Sequence, residues 1–124
     1  MNTVVWITQG LLAVAMLGAG AMKLAKPKAE LQTSGMAWVD DFREPQVKGI
    51  GTLEVLAAAG LIVPALLDIA PVLVGIAAVG VALLMLGAAA THVRRGEGQM
   101  VPVNLVIAAI AIFIAVMRFG PEAF

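Results

Sequence analysis

Residues 91–104, Thr-His-Val-Arg-Arg-Gly-Glu-Gly-Gln-Met-Val-Pro-Val-Asn, form a short polar stretch between two long apolar runs. The apolar run before it (71–90) contains no charged residue. The apolar run after it (101–117), which shares residues 101–104 with the polar stretch, contains none either. Uncharged apolar runs of that length are typical of helices that cross a membrane. The polar stretch between two such helices is therefore predicted to be a tight turn in water.

The composition also indicates a membrane protein. The 124 residues are 61% hydrophobic and 13% charged, with a mean hydropathy of +1.00. Soluble domains are roughly 45–50% apolar and about 25% charged, so a soluble fold of this size would leave too much apolar surface in water. The net charge is zero, which gives no basic surface for nucleic acid. The absence of cysteine excludes disulfide exchange, thiolate chemistry and iron–sulfur ligation by this chain alone.

Four membrane spans are predicted in a single domain, over residues 4–24, 47–67, 71–91 and 101–117. A cleaved signal peptide is the alternative for the first span, but residues 1–10 contain no Lys or Arg and the apolar run is long. The fold class is therefore an all-α membrane protein with a four-helix up-and-down bundle.

The long connection between the first two spans, residues 26–46, mixes apolar and charged side chains. Such a mixture suits a short interfacial segment, which either lies on the membrane surface or caps the bundle. Trp38 and Phe42 are expected to anchor it in the interface, or alternatively to line an entrance. Gly35 and Pro45 are expected to break any helix in this segment.

Positive charges are concentrated on one side of the predicted bundle. If the spans alternate in direction, one side carries seven cationic residues and the other side carries only Arg118. The positive-inside rule then places residues 26–46 and 91–100 in the cytoplasm and both termini outside. The seven residues are Lys23, Lys26, Lys28, Arg43, Lys48, Arg94 and Arg95.

Polar side chains inside the predicted spans lie near the cytoplasmic boundary; they are Lys23, Glu54, His92 and Asn104. Glu54 lies about seven residues into its helix, near 10 Å along the axis. A charged acid there costs roughly 2.5–3.5 kcal/mol, unless it stays protonated. Lys23 either extends to the head groups or pairs with a carboxylate inside the bundle. If all four side chains face inward, they meet in one layer and Glu54 finds its partner there.

Three roles for such a layer remain open. It can be a structural network that fixes the pairing of the helices. It can be a pocket for a polar head group such as a quinone, with His92 and Glu54 as proton donor or acceptor and with Arg94 and Arg95 near the mouth. It can be a proton or solute path.

No metal site is predicted, because one histidine and one nearby glutamate fall short of a di-iron set. The seven methionines are expected as packing residues rather than as haem ligands. No Ser-His-Asp arrangement is discernible, so no catalytic residue is assigned and the sequence does not decide whether the chain is an enzyme.

Four stretches make the chain resemble the DoxX-like family of small four-span bacterial membrane proteins. They are residues 18–24 (GAGAMKL), 50–56 (IGTLEVL), 92–97 (HVRRGE) and 102–104 (PVN). The resemblance covers nearly the whole length. It implies a four-helix bundle with its polar residues at Lys23, Glu54, His92 and Asn104.

The resemblance also implies a function. The family is named for a subunit associated with a thiosulfate:quinone oxidoreductase, and some relatives are linked to redox or oxidative-stress complexes. We therefore expect a small redox-associated subunit that binds a quinone-like or lipid-like ligand and an oxidoreductase partner. Cysteines that would serve sulfur chemistry are missing here, so thiosulfate oxidation is not carried over. The alternatives are a non-catalytic membrane scaffold for a partner protein and a small transporter that acts as a homo-oligomer.

Overall fold

The computed structural model describes residues 1–33 and 35–123, which contain helices and no strand. Within these residues, four helices are long and apolar enough to cross a membrane. They are α1 (Asn2–Ala25), α3 (Glu44–Leu67), α4 (Leu73–Arg94) and α5 (Val101–Phe119). The connection between α1 and α3 contains the short helix α2 (Lys28–Thr33) and a 3₁₀ helix (Ala37–Asp41). The predicted all-α bundle is confirmed.

The four long helices form a ring in which α1 packs on α3, α3 on α4, α4 on α5, and α5 on α1. The centre of the ring is an apolar core of aliphatic side chains and alanines, with Leu12, Leu61, Val81 and Ile114 among its buried members. The outer faces carry exposed aliphatic side chains such as Leu11 and Leu83. A lipid environment accepts such faces, whereas water would not.

The helices lie close to the predicted spans, but α4 ends at Arg94, three residues after its predicted end, and the start of α3 also differs. This helix begins at Glu44, three residues before the predicted span, because Pro45 occupies its first turn. A proline is tolerated there since its missing N–H has no partner in the helix. Pro45 therefore starts a helix instead of breaking one. The side-chain oxygen of Gln46 accepts a hydrogen bond from the backbone N–H of Arg43 (2.8 Å), which stabilises this start.

Helices α1 and α3 approach each other closely at two glycines. A Cβ atom on Gly20 would lie 2.7 Å from the carbonyl oxygen of Gly51 and 3.0 Å from Cβ of Glu54. A Cβ atom on Gly51 would lie 2.9 Å from Cβ of Lys23. Residues without a side chain let helix backbones come this close in lipid. The contact therefore brings Lys23 and Glu54 to the same crossing point.

We expect Gly20→Ala to destabilise the fold by about 1–3 kcal/mol, because the added methyl group would meet the backbone of α3. Gly18→Ala is the matched control. Nothing lies within 4 Å of a Cβ atom at Gly18, so helix propensity should make this change neutral or stabilising by up to about 1 kcal/mol. Thermal unfolding in detergent micelles measures both variants. Equal unfolding temperatures would contradict the close contact.

Candidate functional site

Lys23 and Glu54 form a buried ion pair between α1 and α3. The ammonium nitrogen of Lys23 lies 2.7 Å from Oε1 of Glu54, and the two side chains are 7% and 4% exposed. The contact is an attraction of opposite charges away from water. Of the two environments predicted for Lys23, pairing inside the bundle is the one found.

Aromatic side chains cover this ion pair. The ammonium nitrogen of Lys23 lies 5.6 Å from the centroid of the Trp38 ring, a distance at which cation–π attraction operates. Phe42 packs edge-on against Trp38, with 5.6 Å between the ring centroids and 83° between the planes. Leu31, Val39 and Val47 form a small buried cluster beside the rings. The aromatic part of this segment therefore covers the end of the bundle, as expected for a cap.

Lys48 holds the end of α1 in place. Its ammonium group donates hydrogen bonds to the carbonyl oxygens of Lys23 and Lys26, and lies 3.4 Å from that of Leu24. A cation at this end of a helix satisfies the last carbonyl groups and interacts favourably with the helix dipole. Lys48 therefore fixes the helix turn that carries Lys23, a role that the sequence alone did not reveal.

His92 belongs to a second polar group, at the turn between α4 and α5. Its Nδ1 atom lies 2.9 Å from Oε1 of Glu97, and Oε2 of Glu97 accepts a hydrogen bond from Nε of Arg95 (3.3 Å). Arg95 also donates to Oδ1 of Asp41 over 2.7 Å, which ties the turn to the cap. We call these four residues the turn network. Within residues 1–33 and 35–123, His92 has no polar contact with Glu54, so the two do not meet as predicted.

The charges of the turn network reinforce one another. The hydrogen bond from His92 lowers the pKa of Glu97 most strongly, partial burial works against this, and Arg95 lowers it further. Partial burial also acts to lower the pKa of Arg95, but Glu97 and Asp41 outweigh it and raise that pKa above its usual range. Both side chains therefore stay charged near neutral pH.

We expect Glu97 to make the protein less stable in acid. Folding lowers the pKa of this carboxyl group below its ordinary value of 4.5. The stabilisation is therefore complete above about pH 4.5 and is lost as the pH falls through the lowered pKa. Thermal unfolding followed from neutral pH into acid measures this loss. Glu97→Gln should reduce the slope on the acid side, whereas Glu30→Gln, at an exposed acid, should keep it. An unchanged slope in Glu97→Gln would refute the assignment.

Asn104 lies apart from both groups. Its Nδ2 atom is 3.9 Å from the sulfur of Met85, and its buried Oδ1 atom accepts no hydrogen bond from any described residue. Met85 precedes His92 by two helical turns, about 10 Å along α4. A buried carbonyl oxygen left without a donor costs about 1–3 kcal/mol. This oxygen can therefore accept a hydrogen bond from a hydroxyl or amide group that reaches this depth.

Arg94, predicted near the mouth of the site, is exposed at the end of α4, where its Nη2 atom lies 3.5 Å from Oγ1 of Thr91. The predicted single layer is thus divided into the ion pair, the turn network and Asn104. No group of three His, Asp or Glu side chains that could hold a metal ion occurs in the part of the chain that the structure describes.

Two concavities on the described surface are lined by other residues. One of about 550 Å³ opens outward along α3, and one of about 140 Å³ lies between α1 and α5. None of the predicted site residues lines either of them. The ion pair is enclosed by its neighbours and lines neither of these concavities.

Comparison with known proteins agrees with the family recognised from the sequence. The sequence model of the DoxX-like family matches residues 7–114, a range that includes Lys23, Glu54, His92 and Asn104. The chain belongs to the DoxX-like family. Together with the four apolar helices, this membership identifies a multi-pass membrane protein. No curated protein and no solved structure matches the chain.

A further buried polar cluster in this DoxX-like protein lies at the opposite end of the bundle. Arg118, only 4% exposed, donates from Nε to Oε1 of Gln9 over 3.0 Å. Its Nη1 atom donates to Oδ1 of Asn2 and to the carbonyl oxygen of Glu122, each over 2.8 Å. The guanidinium carbon lies 5.3 Å from the centroid of the Trp6 ring. Arg118 is thus part of the interior, whereas the sequence suggested only the end of a span.

Gln9 connects this cluster to α3. Its amide nitrogen donates to the carbonyl oxygen of Leu61, one turn before Pro64. Proline has no N–H, so the carbonyl oxygen of Gly60, four residues before Pro64, has no donor within α3. Gln9 binds the next carbonyl group, in the same turn of α3. A single glutamine in an apolar span is the sequence signal for this cluster, because its amide needs a partner in lipid.

We expect Arg118→Met to destabilise this DoxX-like protein by about 1.5–3 kcal/mol, because Gln9 and Asn2 would lose a charged donor in a buried place. Arg94→Met is the control, since an exposed cation should contribute no more than about 0.5 kcal/mol. Thermal unfolding of both variants in the same detergent measures the difference. Equal changes in unfolding temperature would show that the buried cluster adds no more stability than an exposed cation.

Proposed function

We propose that this DoxX-like protein is a small redox-associated subunit of the bacterial inner membrane, and that it binds the polar head of a quinone-like or lipid-like ligand at Lys23 and Glu54. The buried ion pair is the observation that supports the proposal. Charged side chains inside membrane spans are rare and are associated with function. An apolar pair of similar size would often hold two helices at least as well. Recognition of a ligand accounts for both charges.

Lys23 and Glu54 offer complementary groups to a ligand head. The ammonium group donates hydrogen bonds to a carbonyl oxygen, and the carboxylate accepts one from a hydroxyl group. The ring of Trp38, 5.6 Å from the ammonium, supplies a flat surface for a ring-shaped head. Arg94 and Arg95 lie at the predicted cytoplasmic end and attract anionic groups to it.

His92 and Asn104 have supporting roles in this proposal. His92, buried at the end of α4, holds the partly exposed Glu97 through a hydrogen bond of 2.9 Å. The Oδ1 atom of Asn104 is buried and has no donor among the described residues, so it accepts a hydrogen bond from a ligand hydroxyl group.

The proposed orientation places the ion pair on the cytoplasmic side and both termini outside. It is supported by the distribution of charge, since the ends of α1 and α4, the connection between α1 and α3 and the start of α3 carry seven of the eight Lys and Arg residues. A head group would then approach from the cytoplasmic leaflet, with its apolar tail in the membrane.

A non-catalytic scaffold for a partner protein is the second candidate. It is favoured by the enclosure of the ion pair, in which Lys23 and Glu54 already neutralise each other. In that case the two charges would only fix the packing of α1 on α3. The third candidate, a homo-oligomeric transporter, would show solute flux in liposomes that contain the purified protein.

The double variant Lys23→Met/Glu54→Leu tests the proposal, because it removes both charges and leaves neither unpaired. We expect it to unfold at the same or a higher temperature and to lose binding of decylubiquinone, a water-dispersible quinone. Binding is measured in lipid nanodiscs by quenching of Trp38 fluorescence, with Trp6→Phe as the common background.

The matched control is Lys26→Met/Glu30→Leu, which removes an exposed ion pair (3.9 Å) at the same end of the bundle. This variant should bind decylubiquinone as the parent does. If the parent protein neither binds the quinone nor retains a small molecule on purification, the ligand-binding function is wrong. The scaffold is then favoured, above all if Lys23→Met/Glu54→Leu unfolds at a lower temperature.

A further inference from the structure

The Lys23–Glu54 pair is covered by a segment outside the four long helices. This segment, residues 35–42, contains the 3₁₀ helix and is called the strap below. Its Trp38 ring lies over the ammonium group of Lys23, 5.6 Å from centroid to nitrogen. Its Val39 side chain is fully buried in the cluster with Leu31 and Val47. The strap is therefore the part of the cap that touches the site.

Both ends of the strap are places where helical structure stops. Gly35 has a φ of +95°, a left-handed conformation that glycine adopts without strain. Phe42 is extended, with φ −123° and ψ 151°, just before α3 begins. Residues at the ends of helices are the ones that absorb backbone rotation when a segment swings. The strap thus has a hinge position at each end.

A side-chain ion pair ties the strap to α4. Oδ1 of Asp41 lies 2.7 Å from Nη1 of Arg95, and the two side chains are 46% and 21% exposed. Arg95 is itself held by Glu97, which contacts His92, so it forms a fixed anchor. An ion pair this exposed to water contributes modestly, enough to change an equilibrium by up to about five-fold. It holds the strap and can still release it.

We propose that the strap is a gate and that the Asp41–Arg95 pair is its latch. When the latch breaks, residues 35–42 swing away from the bundle, Trp38 leaves Lys23, and the ion pair becomes accessible from the membrane surface. The gate gives a ligand a route to an ion pair that is otherwise enclosed. The proposal rests on the proposed function for the identity of the ligand, whereas the opening is a property of the chain alone.

The experiment uses the full chain in nanodiscs, without ligand, with Trp6→Phe so that Trp38 is the only tryptophan. The measured quantity is the quenching constant of Trp38 by acrylamide, a neutral quencher in water. We expect Asp41→Ala and Arg95→Ala each to raise this constant by up to about five-fold. The double variant should show no further rise, because both changes break one contact. Arg94→Ala, at an exposed neighbouring cation, should leave the constant unchanged.

Equal quenching constants in Asp41→Ala, Arg95→Ala and the parent would overturn the gate. An equal rise in Arg94→Ala would also overturn it, because the effect would then come from lost charge alone. Circular dichroism checks that each variant keeps its helices. If Arg95→Ala loses helical structure, the quenching constant of Asp41→Ala decides the test. Faster association of decylubiquinone with Asp41→Ala than with the parent supports the gate. If quenching rises in Asp41→Ala and Arg95→Ala but neither the parent nor any variant binds decylubiquinone, the gate is supported and the proposed function is wrong.

Discussion

The buried ion pair of Lys23 and Glu54 lies where α1 and α3 come closest to each other through Gly20 and Gly51, and it fixes which faces of the two helices meet. At 2.7 Å and away from water, each charge is the other's main source of stabilisation. If the helices moved apart, both charges would remain in the membrane without a partner, which is far less favourable than the paired state. The glycines Gly20 and Gly51 let the backbones come close enough for the pair to form. The helix packing and the polar site are therefore one feature of the structure.

Polar contacts at the two ends explain how an apolar bundle acquires one defined arrangement. In lipid, an aliphatic side chain gains little by facing another helix instead of a lipid tail, so apolar packing alone discriminates weakly between helix faces. The Lys23–Glu54 pair fixes α1 against α3 at one end. At the other end, Arg118 of α5 and Gln9 of α1 are joined by a hydrogen bond, and Gln9 also binds α3. The core of small and aliphatic residues then fills the space between these two polar clusters.

The fold could be predicted from the sequence because the length and charge of each apolar run decide whether it spans a membrane. The depth of the polar residues along the spans likewise predicted that Glu54 needs a polar partner, with Lys23, His92 and Asn104 as the candidates. The choice among three partners could not be predicted, because the spans are apolar on all sides and their periodicity does not define an inward face. His92 turns to Glu97, five residues away in the next turn, and that local hydrogen bond removes it from the predicted layer.

The burial of Arg118 could not be predicted for a related reason. Its position at the end of an apolar run is that of an interfacial residue, and its partner Gln9 lies 109 residues earlier in the chain. Trp38 presents the same difficulty, because an amphipathic connection predicts an interfacial anchor just as well as a cap. In both cases a contact between distant segments decides the outcome, and the sequence around Arg118 or Trp38 does not say which distant segment it meets.

A site built from two opposite charges restricts the kind of ligand that suits it. An anion would compete with Glu54 for Lys23, and a cation would compete with Lys23 for Glu54. The ammonium group has three donors and the carboxylate has about four acceptor positions, so one contact between them leaves part of this capacity unused. A neutral head group that both accepts and donates hydrogen bonds can use this remaining capacity without separating the charges. Under the proposed function, the hydroxyl group of a reduced quinone suits the ion pair, because it can accept a hydrogen bond from Lys23 and donate one to Glu54.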